Sequence, residues 1–304
     1  MKEIIIGTRG SKLALCQAEE IKEKLEKNGN KCSLKIIKTK GDKILDIALS
    51  KIGDKGLFVK EIEEALIEKS IDIAVHSLKD LPSILPEKLC IGAISERQDY
   101  RDVIVSKEGK KLLSLPHSSL IGTGSLRRKA LIFKLRQDFI FKEIRGNLDT
   151  RLRKLEEGEV DALILAAAGL LRIGLGDKIT EYFSTDIMLP AVGQGSLAVE
   201  TRKDSGEILH ILKKIDDPES HISAIAERSF LIELQGGCQI PIGALAEVSG
   251  KKLTLEGLIA SLDGKRIIRG KIEGGKNRAE ELGKELAEKL IKDGGEDILK
   301  EVRK

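Results

Sequence analysis

The sequence predicts an α/β protein made of two related lobes on mostly parallel sheets, followed by a small α+β unit. Three observations carry that expectation. Short apolar runs alternate with amphipathic helical stretches through residues 3–169, the signature of βαβ units. The order of elements in the first lobe returns in residues 120–169, an internal repeat. From residue 242 the pattern changes to alternating half-exposed strands around tight turns, closed by a helix.

Residues 3–7 read as a strand that breaks into Gly7-Thr8-Arg9-Gly10-Ser11. Leu13, Ala14, Ala18, Ile21 and Leu25 then recur on one helical face, with Ser11 as N-cap and Asn28-Gly29 as stop. A second strand spans 32–38. The Lys/Gly/Asp-rich stretch 39–56 reads as a lid or a solvated connector. An amphipathic helix over 57–69 leads into the strand Asp72-Ile-Ala-Val-His-Ser-Leu-Lys-Asp-Leu-Pro82, which ends in His76, Ser77, Lys79 and Asp80. Open α/β sheets bind ligands at the carboxyl ends of their strands, so this end is a site candidate. A strand over 89–94 precedes the polar crossing 96–102, taken as a lobe boundary.

The second pass begins at Leu120-Ile-Gly-Thr-Gly-Ser-Leu-Arg-Arg128, which echoes the first strand, turn and serine-capped helix. Residues 139–144 form the next strand, broken by Arg145-Gly146-Asn147, and a helix covers 148–157. Residues 158–169 then parallel 69–77, with Asp161 matching Asp72. Leu189-Pro-Ala-Val-Gly-Gln-Gly195 reads as a second crossing, and 196–201 as a strand returning to the first sheet. Helices follow at 208–212 and 220–234. Strands at 242–248, 253–261 and 266–272 and a helix over 278–292 complete the chain. Two facing lobes would place their arginine-bearing loops on opposite walls of one cleft, and two crossings would make a hinge.

At 304 residues, 41% hydrophobic and 34% charged, the chain reads as a soluble globular protein of two or three domains. No apolar run reaches bilayer length and residues 1–7 hold no signal-peptide segment, so a cytoplasmic protein without a membrane partner is expected. Cys16, Cys32, Cys90 and Cys238 form no C-x-x-C pair and the four histidines are scattered, so no metal is expected. Aromatics are 3% with no Trp, which leaves few stacking platforms and argues against nucleic acid.

Arg9, Arg127, Arg128, Arg145, Arg151 and Arg172 fall in or just after strand-end loops or helix starts. Guanidinium forks bind carboxylates and phosphates, so the set suits a polyanionic ligand, although any one of them is more often a solvated charge. The Arg127-Arg128 pair sits where the helix dipole disfavours cations, a position most easily explained by an anion above it. Gly236-Gly237-Cys238-Gln239-Ile240-Pro241 puts a thiol in an open turn; inert cysteine, nucleophile and covalent attachment point all remain open from chemistry alone. Neither Gly7-Thr-Arg-Gly-Ser-Lys12 nor Gly122-Thr-Gly-Ser has the spacing of a nucleotide loop. A non-catalytic anion-binding protein and a phosphoribosyl-type transferase are the rival readings; the first leaves the cysteine turn and the C-terminal unit unexplained, and the second lacks a phosphate loop.

Seven segments in order resemble the porphobilinogen deaminase (hydroxymethylbilane synthase) family and span nearly the whole chain. They are Thr8-Arg9-Gly10-Ser11-Lys12-Leu13-Ala14-Leu15, Gly56-Leu57-Phe58-Val59-Lys60-Glu61, His76-Ser77-Leu78-Lys79-Asp80-Leu81-Pro82, Gly122-Thr123-Gly124-Ser125-Leu126-Arg127-Arg128, Arg145-Gly146-Asn147, Leu189-Pro190-Ala191-Val192-Gly193-Gln194-Gly195 and Gly236-Gly237-Cys238-Gln239-Ile240-Pro241. Gly124 departs from the family pattern, where a serine is expected.

The resemblance implies two lobes like those of periplasmic binding proteins, residues 1–96 with 195–216 and residues 97–194, joined by a two-stranded hinge. It also implies a cofactor-attachment domain over 217–304. It implies a dipyrromethane joined to Cys238 by a thioether and contacted by Lys79, Asp80, Thr123, Ser125, Arg127, Arg128, Arg145 and Gly146. Porphobilinogen would be met by Arg9, Ser11, Phe58, Arg145, Arg151, Arg172 and Gln194, and Asp80 would be the catalytic residue. The implied activity is the deaminative condensation of four porphobilinogen units and hydrolytic release of 1-hydroxymethylbilane, by a monomer. His76 suits that chemistry less well than Asp80, because it lies deeper in its strand.

Overall fold

The computed structural model describes residues 3–39, 59–236 and 240–303. The chain opens with β1 (Ile4–Thr8), α1 (Lys12–Lys27), β2 (Cys32–Ile36), α2 (Lys60–Ile67), β3 (Ile73–Ser77) and β4 (Leu89–Ile94). It continues through β5 (Asp102–Ser106), β6 (Leu120–Gly122), α3 (Leu126–Leu135), β7 (Ile140–Lys142), α4 (Leu148–Glu156), β8 (Ala162–Ala166), α5 (Ala167–Arg172) and β9 (Glu181–Tyr182). Then come β10 (Leu197–Arg202), α6 (Gly206–Leu212), α7 (Pro218–Glu233), β11 (Ile242–Ser249), β12 (Lys252–Ala260), β13 (Ile267–Gly275), α8 (Ala279–Leu290) and α9 (Glu296–Val302).

Two compact units result: Met1–Gln98 with Ser196–His221, and Asp99–Gly195 with Ile222–Lys304. The first holds a five-stranded sheet ordered β2-β1-β3-β10-β4. Its strands run parallel except β10, which is antiparallel to both neighbours. The second unit holds a sheet ordered β7-β6-β8-β5-β9 with the same plan, β5 being the reversed strand. In both sheets the reversed strand is the first one after the chain enters that unit.

The sequence repeat has a physical counterpart in hydrogen bonds. Asp72 accepts from the Ile5 backbone N–H at 2.9 Å, and Asp161 accepts from that of Leu120 at 2.7 Å. Each aspartate thus staples the start of one parallel strand to the start of the next. The two serine caps also correspond: Ser11 accepts from the N–H of Ala14 and Ser125 from that of Arg128.

The apolar faces read from the sequence are buried. Ala18, Ile21 and Leu25 of α1 pack on Ile4, Ile6, Ile73 and Val199. Strand β10 is buried along its whole length, Glu200, Thr201 and Arg202 included. Arg202 is accommodated because its NH1 donates to the carbonyls of Leu66 and Ile71 at 2.7 and 2.8 Å. In the second unit, Ile104, Ile121, Ile164, Leu245, Leu258 and Ala260 share one cluster, so the five-stranded sheet and the antiparallel sheet β11-β12-β13 have a common core. Helix α8 covers the other side of that small sheet through Leu282, Leu286 and Leu290.

Several boundaries differ from the sequence reading. The strand expected over 72–82 stops at Ser77, and Leu78–Asp80 form one 3-10 turn. Within the run 158–169, β8 closes at Ala166 and α5, a helix the sequence reading did not assign, begins at Ala167. Strand β5 is absent from the sequence reading, and the crossing expected over 96–102 ends where it starts.

Candidate anion-binding and catalytic site

The carboxyl ends of β1 and β3 lie side by side in the first sheet, since the strands are paired in parallel. After β1 come Arg9, partly buried, and Ser11, whose hydroxyl oxygen caps α1. After β3 come Lys79 and Asp80 on the 3-10 turn. The two ends are tied together by Gln17, which is buried and donates from Nε2 to the Ser77 hydroxyl at 2.9 Å. Asp80 is exposed and makes no hydrogen bond or ion pair with any described residue. Its carboxylate is therefore open to solvent, beside a strand end tied to α1 by the Gln17 bond.

One residue pair back, His76 is buried and meets Glu200 of β10, Nε2 to Oε2, at 3.0 Å. Glu63 of α2 belongs to the same group of charges. Burial, reinforced by the Glu200 carboxylate and opposed by His76, pushes the Glu63 carboxyl up to about 7. His76 is thereby engaged inside the sheet.

In the second sheet the carboxyl ends of β6, β7 and β8 and the start of the reversed β5 share one edge. Thr123 and Ser125 follow β6; the buried Thr123 hydroxyl accepts from the Ser125 N–H at 3.2 Å. Between them Gly124 is exposed, and a Cβ there would be 3.6 Å from Glu143, so the expected serine has room although this chain lacks it. After β7, Arg145 donates to Glu143 from Nε and NH2 at 3.2 and 2.9 Å. Gly146, with φ +104, adopts a backbone that other residues avoid, and its carbonyl accepts from Arg151 Nε at 2.9 Å. Arg172, closing α5, donates to the Gly195 carbonyl at 3.0 Å.

The arginine pair is where the structure revises the sequence argument most. Arg127 and Arg128 are 4% and 7% exposed, and both bond to Asp102, which is fully buried at the start of β5. Arg127 NH1 reaches Asp102 Oδ2 at 2.7 Å and the Leu189 carbonyl at 2.6 Å. Arg128 gives Nε and NH2 to Asp102 Oδ1 at 2.9 and 2.7 Å and NH1 to the Ile164 carbonyl at 2.9 Å. Gln194 adds Nε2 to Asp102 Oδ1 at 3.1 Å. Burial works to raise the Asp102 carboxyl, but the two guanidiniums and Gln194 hold it below the ordinary carboxylate range. The anion that explains cations at this helix start is thus a residue of the chain itself. One carboxylate against two guanidiniums leaves one positive charge over.

Asp102, Gln17, Glu63 and Glu200 were not singled out from sequence. Asp102 carried one readable signal, an aspartate immediately before the apolar run Val103-Ile104-Val105. Phe58 and Cys238 lie outside the described residues, as does the stretch expected to form a lid. Among the described residues no cluster of His, Cys, Asp or Glu is arranged to hold a metal ion, and no helix is long and apolar enough to cross a membrane.

Two family models match the chain: "Porphobilinogen deaminase, dipyromethane cofactor binding domain" over residues 4–210 and "Porphobilinogen deaminase, C-terminal domain" over residues 221–292. A porphobilinogen deaminase of Pelotomaculum thermopropionicum is 52% identical over 304 residues, covering 99% of this chain and 97% of that one. One from Carboxydothermus hydrogenoformans is 53% identical over 305 residues, covering 100% of this chain and 98% of that one. Among solved structures, a putative lipoprotein from Actinomyces odontolyticus aligns with a TM-score of 0.45 at 16% identity, covering 72% of this chain and 92% of the other. Matched from residue 4 to residue 292 and half identical to relatives of its own length, the chain belongs to the porphobilinogen deaminase family.

Proposed function

We propose that the chain is the transferase of tetrapyrrole biosynthesis that condenses four porphobilinogen units head to tail, with loss of ammonia at each addition, and releases 1-hydroxymethylbilane by hydrolysis. Growth takes place on a dipyrromethane held through Cys238 in the C-terminal domain. When bound, that group supplies the nucleophilic pyrrole carbon at which the chain begins. The donor set of the second unit fits it. A dipyrromethane made from porphobilinogen carries acetate and propionate arms, and the β6–β8 edge offers guanidiniums and hydroxyls, while Asp102 and Glu143 there already accept from arginines. Arg127, Arg145 and the Thr123 and Ser125 hydroxyls would hold those arms, with Lys79 and Gly146 completing the set and Arg128 supporting it from inside the protein. Arg9, Ser11, Phe58, Arg151, Arg172 and Gln194 would serve the incoming substrate.

Asp80 carries the catalytic part of the reading. A porphobilinogen that has lost ammonia is an electron-deficient azafulvene, and a carboxylate beside the pyrrole N–H stabilises that positive charge. The same oxygen can pass a proton to the departing amine or take one from the newly substituted ring carbon. An exposed carboxylate without a partner among the described residues suits both tasks, because no bond to them must break before it acts. The protein is read as a monomer of the cytoplasm.

Ammonia release on adding porphobilinogen tests the function directly. Release of one ammonia for each porphobilinogen consumed, with a linear tetrapyrrole as product, is expected. Saturable porphobilinogen binding without ammonia would instead establish the anion-binding alternative.

A further inference from the structure

We infer that Asp102 is a positioning residue that gives two adjacent arginines different tasks, holding Arg128 wholly inside the protein and leaving one edge of Arg127 unbonded for a ligand carboxylate. The inference rests on the reading that this edge of the second unit takes a carboxylate-bearing group. It concerns how the pair is divided.

The geometry separates the two side chains clearly. Arg128 spends Nε, NH1 and NH2 on Asp102 and the Ile164 carbonyl, so each of its nitrogens already has an internal acceptor. Arg127 makes both of its bonds from NH1, to Asp102 and the Leu189 carbonyl, and its Nε–NH2 edge has no partner among the described residues. Nε and NH2 form a side of the guanidinium that grips a carboxylate with two parallel bonds. The stem of Arg127 is confined as well. A Cβ built on Gly243 would lie 3.2 Å from Arg127 Cδ and 2.9 and 3.0 Å from the Leu189 and Pro190 carbonyl oxygens. A larger residue at that point of β11 would crowd both carbonyl oxygens and press on the Arg127 stem.

Charge fits the same division. Asp102 neutralises one guanidinium, and the remaining charge is expressed where hydrogen-bonding capacity remains, on Arg127. Gln194 fixes the carboxylate from a third side and also donates to the Tyr100 carbonyl at 2.8 Å, so Asp102 cannot swing to follow Arg127. Arg128 thus influences the ligand through Asp102 alone.

A double-mutant cycle tests this on the full chain, read by the fraction of protein carrying the Cys238 adduct in intact-mass spectra and by melting temperature. Asp102→Asn leaves two buried guanidiniums without a counter-charge, and the adduct fraction is expected to fall by about tenfold or more, the factor tied to one hydrogen bond with a charged group. Asp102→Asn combined with Arg128→Gln removes one charge of each sign and keeps Arg127. This pair is expected to recover both the melting temperature and most of the adduct. A folded double variant with no more adduct than the worse single variant would overturn the inference, because Arg128 would then touch the ligand itself. Should the double variant not fold, Arg128→Lys decides: a lowered melting temperature with adduct kept supports the division, and lost adduct at unchanged melting temperature overturns it. A wild-type protein without adduct refutes the functional reading instead. The melting-temperature cycle then judges Asp102 alone, with rescue in its favour and additive losses against it.

Discussion

Replacing Glu63 by glutamine is expected to stabilise the first unit at alkaline pH and leave it unchanged in acid. Glu63 sits over the sheet face where Glu200 of β10 and His76 of β3 meet diagonally, Glu200 being opposite Ala74 and His76 opposite Ala198. Glu63 Oε1 and Glu200 Oε1 are both buried without a hydrogen-bond partner. The other ionisable groups around them are Glu64 on α2 and the Cys90 thiol on β4, which burial raises further from ionisation. Burial first, then Glu200, moves the Glu63 carboxyl from 4.5 to about 7.

The folded protein therefore keeps a proton that the unfolded chain gives up. Stability falls as pH rises from 4.5 towards 7 and stays level above, the sign required for a raised folded-state value. The whole shift corresponds to roughly 3 kcal/mol. Half-burial lets solvent screen the charge and reduces this to about 1–2 kcal/mol. Urea unfolding of wild type and Glu63→Gln at pH 4 and pH 8 measures it. The two should nearly coincide at pH 4, below the unfolded-state value of 4.5, with the variant ahead by about 1–2 kcal/mol at pH 8. An equal difference at both pH values would show that glutamine changes packing only and refute the reasoning.

Other expectations follow from single contacts. Asp80→Asn should cut kcat by about 10²–10⁴-fold with an unchanged melting temperature, since Asp80 is exposed and supports nothing else; steady-state kinetics beside thermal unfolding decides. Gly243→Ala should cost about 1–3 kcal/mol and lower adduct occupancy, because two carbonyl oxygens cannot yield to the new methyl. Gly206→Ala is its control: open space surrounds that position, and a change below about 1 kcal/mol is expected. Arg202→Met should destabilise the first unit by about 3 kcal/mol in urea unfolding, as it strips the Leu66 and Ile71 carbonyls of their donor and Asp72 of a neighbouring charge.

The repeat was readable because it is written in local chemistry. A serine caps each first helix, and an aspartate in each third strand ties it to the first, so both leave a mark at fixed places in the sequence. The small antiparallel sheet was readable for a similar reason: Ser249-Gly250 and Asp263-Gly264 are turn signals between strands of period two. What escaped was tertiary. Asp102 is 25 residues from Arg127 and 92 from Gln194, and nothing local shows that three donors converge on it. Strand β5 went unread because its five residues follow a polar run that already signals a crossing. The Arg127-Arg128 argument recognised a real electrostatic problem, a pair of cations at a helix start, without locating the carboxylate that answers it. Sequence ranked His76 below Asp80 for its depth in the strand but could not name its partner: His76 is locked to Glu200 within the sheet, and Asp80 is exposed beyond its end.

The measurement that bears most directly on the account is the intact mass of the denatured protein beside its Cys238→Ala variant, before and after adding porphobilinogen. The account predicts a native excess of two pyrrole units that disappears with the thiol and climbs in single-pyrrole steps with substrate. Unmodified protein in both cases, unchanged by porphobilinogen, would contradict it.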